Sequence, residues 1–130
     1  MLTLTIRTDK PDAEIGLYDD TEQIIYLTWQ AHRQLAETLH ERIDNILAER
    51  HKELHEIKGI VVFKGPGSFT GLRIGISVAN ALAYSLDAAI VATENPNWIE
   101  TGLARLQAGE NEIVAMPEYG ALPNITPQKK

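Results

Sequence analysis

The spacing of apolar positions changes along this chain, and the changes divide it into elements. Leu2-Thr-Leu-Thr-Ile6 alternates apolar and hydroxyl side chains, the period of a strand whose two faces differ. Arg7 to Asp12 reads as a turn. Glu14–Tyr18 and Gln23–Trp29 are further strands, and Asp19-Asp20-Thr21 between them has the residue types of a tight hairpin, so the chain is expected to open as an antiparallel meander. The period then lengthens. From Ala31 to Arg50, Leu35, Leu39, Ile43, Ile46 and Leu47 recur on one face of a helix, and His51 to Lys58 is a charged connection.

The central feature follows. Ile60–Phe63 is a continuous β-branched and aromatic run, the mark of a strand buried on both faces. Gly65 and Gly67 bracket Pro66, which breaks the pairing, and Ser68 or Thr70 then caps a helix. From Ile74 to Leu86 this helix carries no charged side chain. Leu72, Ile76, Ala79, Ala83 and Leu86 fall on one side, while Ile74, Val78, Ala81, Leu82 and Ser85 spread over much of the rest, whereas an ordinary surface helix has an apolar stripe only about 100° wide. One face is expected on the chain's own sheet and the other under a second helix, contributed by another molecule. Gly71 and Gly75, one turn apart, would let another backbone come close. Ala88–Ala92 is a short buried strand, Asn95-Pro96 a break, Asn97–Gln107 a helix, and Glu112–Met116 a brief strand. Residues 1–116 thus form one lobe, and prolines at 117, 123 and 127 make 117–130 an extended tail, with Tyr119 and Leu122 as its anchors.

Composition narrows the function. A chain of 130 residues is one domain that buries about two-thirds of its unfolded surface. It contains no cysteine, which removes thiol catalysis and thiolate metal sites and, with no signal peptide evident, suits the cytoplasm. No apolar run is long enough to span a membrane. A net charge of −6 opposes direct grip on a phosphate backbone, so any nucleic acid is expected to be held by a partner.

Few residues invite chemistry. Gly65, Gly67, Ser68 and Thr70 could cradle an anion, but Leu72 and Arg73 after Gly71 lack the lysine and hydroxyl of a Walker A loop. Ser68 is no nucleophile elbow, because Thr70 stands where the second glycine belongs. His51 and His55 would share a face near Glu49 and Glu53 only if the helix reached them, and their order is not that of a zincin; His32 and His40 lie on the same helix. Asn124-Ile-Thr126 spells a glycosylation acceptor that is accidental without a secretory signal. No catalytic residue, metal or cofactor is expected.

The element order βββαβαβα with a mixed five-stranded sheet resembles the first lobe of actin-like ATPases, an α/β fold of the RNase H-like kind with flanking helices. A closer resemblance lies in Gly65-Pro-Gly-Ser-Phe-Thr-Gly-Leu-Arg-Ile-Gly75, which is similar to the signature of the TsaB (YeaZ) family. Elements in family order extend it from the start to about Leu106, including His32 in the first helix. Met116-Pro-Glu-Tyr119 and Pro123-Asn-Ile-Thr126 are similar to the family's closing elements.

The resemblance implies a partner subunit of TsaD, which transfers threonylcarbamoyl to the adenosine beside the anticodon of certain tRNAs. TsaE, an ATPase, joins them. It also implies a helix-bundle contact built from the first two helices, here through Leu35, Leu39, Ile43, Gly71, Gly75, Ile76, Ala79, Leu82, Ala83 and Leu86, taken by a second copy when the protein is alone. Ile6-Arg-Thr-Asp9 departs from the family's Ile-Asp-Thr-Ser by placing a cation where a metal-assisting carboxylate is usual. The space after Leu106 holds only a turn where relatives carry a second lobe, so a reduced chain is expected. Two other classes compete: a self-associating scaffold with no tRNA role, and a small phosphate-binding enzyme using the Gly65–Gly71 loop.

Overall fold

The structure, a computed structural model, describes residues 1–31, 34–67 and 69–118. Its strands are β1 (Leu2–Arg7), β2 (Asp12–Asp19), β3 (Glu22–Gln30), β4 (Ile57–Phe63) and β5 (Ala89–Thr93), and its helices α1 (Leu35–Glu49), α2 (Phe69–Leu86) and α3 (Trp98–Gln107). The sheet order is β3-β2-β1-β4-β5, with β1–β2 and β2–β3 antiparallel and β1–β4 and β4–β5 parallel.

Alternation along the strands sorts the two faces. Leu4, Ile6, Ile15, Ile60, Val62 and Ile90 meet α1 and α2, whereas Val61, Phe63 and Val91 meet Trp98, Leu103 and Leu106 of α3. Phe63 and Trp98 pack edge to face with centroids 5.8 Å apart. Gly102 lets α3 descend onto β4, since a Cβ there would stand 2.3 Å from Val61 Cγ1. On the other face α2 lies over β1, β4 and β5, and α1 lies beside α2 and over β2. Trp29 fastens α1 to β3, donating its indole N–H to Thr38 Oγ1 at 3.1 Å beneath the guanidinium of Arg42.

The elements fall where the pattern puts them, with shifts that have local causes. α1 begins at Leu35 and ends at Glu49, where His51 takes a left-handed φ of 56° and Lys52 N–H reaches back to the Leu47 carbonyl. α2 ends likewise: Asp87 has φ 54° and Ala88 N–H bonds Ala83 O. α3 closes the same way with Gly109, φ 89°. The charged connection holds a short 3-10 turn, Leu54–Glu56, and Ile57 and Lys58 already belong to β4.

Residues 112–116 do not form a strand. Side chains and one backbone bond do the pairing instead: Asn111 Oδ1 accepts from Ile90 N–H, the Glu112 backbone N–H donates to Ile90 O, Glu112 Oε2 accepts from Ala92 N–H, and Arg105 donates to Ala92 O and to Glu112. The outer edge of β5 is sealed in this way. The strap then crosses the flank of α2, where Asn80 holds both backbone groups of the buried Ala115, and Glu118 N–H ends on the Lys64 carbonyl. Pro117 and Glu118 of the expected tail therefore lie on the lobe, while Tyr119, Leu122 and the rest lie outside the described residues.

On the α3 side of β1–β3, Tyr18 and Tyr26 close over Gly16 and the buried Thr5. Tyr26 donates to Glu14, which also meets Lys10 at 3.0 Å. Burial, then that hydrogen bond, raises the Tyr26 phenol well above its ordinary value.

Two outcomes follow from this packing. Gly102→Ala gains about 1 kcal/mol of helix propensity but drives a methyl into Val61, and overpacking of about 1–3 kcal/mol wins, so the melting temperature falls by several degrees. A melting temperature at or above wild type would mean that α3 does not rest on β4 through this glycine. For Tyr26 the folded state holds its proton more tightly than the unfolded chain does. Its contribution is complete below about pH 10 and is lost as the pH climbs beyond. Tyr26→Phe should cost about 1 kcal/mol at neutral pH and flatten the alkaline fall in melting temperature; an unchanged alkaline slope counts against the assignment.

Candidate functional site

The carboxyl ends of β1, β4 and β5 lie side by side, the usual position of a ligand site in an α/β sheet. Here each cation faces an acid. Arg7 Nε donates to Asp9 Oδ1 at 2.8 Å, its guanidinium lies 3.9 Å from the centroid of Phe63, and Nη1 meets Asn95 Oδ1 at 3.4 Å. Lys64 pairs with Glu94 at 3.8 Å.

The glycine loop is shaped by the chain's own packing. A Cβ on Gly65 would meet the Glu118 carbonyl oxygen, and one on Gly67 would stand 2.6 Å from Asp9 Cβ. The space an anion would need at these two residues is taken by the Glu118 carbonyl oxygen and by the side chain of Asp9, whose carboxylate is held by Arg7. Gly75 accommodates Thr8, whose Oγ1 would touch an added Cβ and instead donates to the Gly71 carbonyl at 2.7 Å. The close approach expected at this helix start is thus made by the end of β1. Thr70 is exposed and lines a cleft of about 360 Å³ with Asp9, Lys10, Leu35 and Ile74. Ser68 and His32 lie outside the described residues.

His51 and His55 share no helix face, because the left-handed residue at 51 ends α1 and puts His55 in the following 3-10 turn. Among the described residues no group of three or more His, Asp and Glu could hold a metal.

The second candidate is α2. Leu39, Ile43, Ile76, Ala79 and Ala83 are buried in the chain's own core, Leu35 and Leu82 nearly so, and Leu86 is partly buried. The large aliphatic side chains of the charge-free run are therefore not left bare; α1 and the sheet cover them. What faces outward is a stripe of Arg73, Ser77, Ala81, Tyr84 and Ser85. Tyr84 is 92% exposed, and beside it the strap displays Ile113 at 72%, Met116 at 66% and Val114 at 56%. Two shallow hollows between α2 and the strap join these residues, one reaching Tyr84, Ile113 and Val114, the other Ser77, Met116 and Pro117.

A family model described as "TsaD: tRNA N6-adenosine threonylcarbamoyltransferase" matches residues 29–100, from the end of β3 to the start of α3. The chain belongs to this family, on its TsaB (YeaZ) branch. The tRNA threonylcarbamoyladenosine biosynthesis protein TsaB of Haemophilus influenzae is 29% identical over 99 residues, 72% of this chain and 42% of that protein. The Bacillus subtilis TsaB is 33% identical over 96 residues, 73% of this chain and again 42% of the relative. The chain thus spans less than half the length of these two curated relatives. YeaZ from Pseudomonas aeruginosa superposes with a TM-score of 0.68 at 24% identity, covering 82% of this chain and 50% of that one, so half of that chain has the fold of this lobe.

On this TsaB-branch chain the sequence reading placed attention on the inner face of the helix pair and missed the outer one. Ser77, Ala81 and Ser85 fall four residues apart, and that row of small side chains was the available signal. Asn80, Ile113, Val114 and Met116 gave none, because nothing local shows that the chain after α3 returns to α2.

Asn80→Ala should release the strap without disturbing the sheet. The expected result is faster hydrogen exchange at the Ala115 amide and a loss of about 1–3 kcal/mol. Unaltered exchange at Ala115 would show that the strap is held elsewhere.

Proposed function

We propose that this chain is a non-catalytic partner subunit in tRNA threonylcarbamoyladenosine formation, docking a TsaD-like catalytic subunit along the α1–α2 face. The outer stripe of α2 supports the reading most directly. Four of the exposed large apolar side chains, Tyr84, Ile113, Val114 and Met116, gather on and beside it. Ser77 and Ala81 between them are small enough for a partner helix to approach closely. The buried residues expected at the contact, Leu35, Leu39, Ile43, Ile76, Ala79, Leu82 and Ala83, would then support the docking face from beneath, and Gly71 and Gly75 would fix its tilt on β1.

The occupation of the Gly65–Gly67 turn by the Glu118 carbonyl and the Asp9 side chain favours this reading over a phosphate-binding enzyme. A TsaE-like ATPase would act on the assembled pair, and tRNA would be held by the partner's surface, in keeping with a net charge of −6. Among the described residues no helix is long and apolar enough to cross a membrane, which suits work in the cytoplasm where tRNA is modified.

Titrating a TsaD-like protein from the same cell against wild type, Ala81→Glu and Tyr84→Ala tests the face. Both positions are exposed, so each variant should keep its circular dichroism. Ala81→Glu puts a charge into a dry contact and should weaken binding at least tenfold, about 1.4 kcal/mol. Ala83→Glu is unsuitable, since that side chain lies in the core. Folded variants that bind as tightly as wild type would remove the helix face from the model.

A separate assay addresses catalysis. Magnesium-dependent ATP turnover by the isolated chain should stay at background, and turnover abolished by Gly67→Glu would restore the phosphate-loop reading.

A further inference from the structure

The two edges of the sheet are treated differently. The β5 edge is closed by Asn111, Glu112 and Arg105, whereas β3 pairs only with β2, and among the described residues no hydrogen bond reaches its outer side. Open strands ordinarily carry lysine, proline or a bulge that discourages pairing. Here Gln23 to Gln30 contains no charged residue and no proline. The bulge is confined to one end, where the register slips between Leu17 and Tyr18 and leaves Ile24 extra; Ile25–Gln30 is regular. Ile24, Ile25 and Leu27 are only partly buried and lie at the margin of the main core, so the core itself is unfinished along this edge.

We propose that the β3 edge is a self-association site, at which a second copy of this chain adds its own β3 antiparallel about a two-fold axis at Leu27. An exposed row of alternating N–H and C=O groups is completed by a strand and by no other element. The sequence of β3 favours a copy of itself. A two-fold axis normal to the sheet keeps each face continuous, so residues opposite one another must share a face, and the axis must pass through a residue position. Placed at Leu27, it sets Leu27 against Leu27 of the second copy, Ile25 against Trp29 and Tyr26 against Thr28. Every such pair joins apolar, aromatic or β-branched side chains. Glu22, the strand's single charge, lies outside the paired run and faces no other carboxylate. The second copy thereby covers the half-exposed Ile25 and Leu27. This site lies on the sheet, away from the helix pair, and is independent of the docking reading above.

The paired run, Ile25 to Trp29, is five residues, about 17 Å at about 3.4 Å per residue. An edge of that length falls below a standard stable interface, so the dimer should appear with rising concentration. Like-charged copies of net charge −6 should also pair more readily at higher salt.

The test uses the absence of cysteine from the chain. In the proposed register Leu27→Cys stands opposite itself at a Cα separation of about 4.5–5.5 Å, inside disulfide range. Under mild oxidation it should give a linked dimer. Tyr26→Cys, Thr28→Cys and the remote surface control Glu110→Cys should link far less. Light scattering should show mass rising toward the dimer for wild type, and Leu27→Pro or Thr28→Lys should hold the mass at the monomer with circular dichroism retained by at least one of the two. A TsaD-like partner added before oxidation should leave the yield of the Leu27→Cys link unchanged.

A wild-type mass that stays monomeric at the highest attainable concentration and salt would overturn the proposal. So would linking no faster than the Glu110→Cys control, or a dimer that survives a folded edge variant. A yield of linked dimer that falls when the TsaD-like partner is present before oxidation would assign the edge to that partner instead.

Discussion

The seat of α2 on the end of β1 is the contact on which the remaining arrangement depends. Gly75 leaves room for Thr8, and the Thr8 hydroxyl fixes the Gly71 carbonyl. That close approach brings a helix with no charge after Arg73 down over the three parallel strands. A helix so poor in polar groups must then be covered on more than one side. α1 takes the flank where Leu35 lies near Ile74, and the strap takes the flank at Asn80. What remains outside is Arg73, a narrow row of small side chains and one tyrosine.

Strands and helices were legible because their periods are sustained: the hydroxyl alternation of β1, the continuous run of β4 and the stripe from Leu35 to Leu47 each needed only local spacing. Helix ends were less legible. His51 and Asp87 occupy left-handed positions that glycine ordinarily fills, and their cost is met by the bonds Lys52 and Ala88 make back to the helix. The strap was legible only in part. Its apolar residues suggested a strand, but the pairing with β5 runs through the side chains of Asn111, Glu112 and Arg105, which no period reveals.

The candidate site shows a different limit. A run without charge says that water is excluded, not which molecule excludes it. Ile76, Leu82 and Ala83 were read as a contact with another protein, yet the chain's own sheet and α1 reach them first. The glycine loop carries the same lesson from the opposite direction. Gly65 and Gly67 have the composition of an anion cradle, and only the placement of Asp9 and Glu118 shows that these positions admit the chain's own acids and carbonyls. Arg7, read as a substitution that disables metal chemistry, is held as a structural cation by Asp9 and the Phe63 ring.

The strap also sets a limit on growth. A sheet open at both edges can add copies without end, and that is the geometry of a fibre. In this lobe Arg105 and Glu112 occupy the hydrogen-bonding groups of β5 that a further strand would need. Strand addition therefore has one direction only, and once the open side is filled by its symmetric counterpart, no unpaired edge is left to recruit a third molecule.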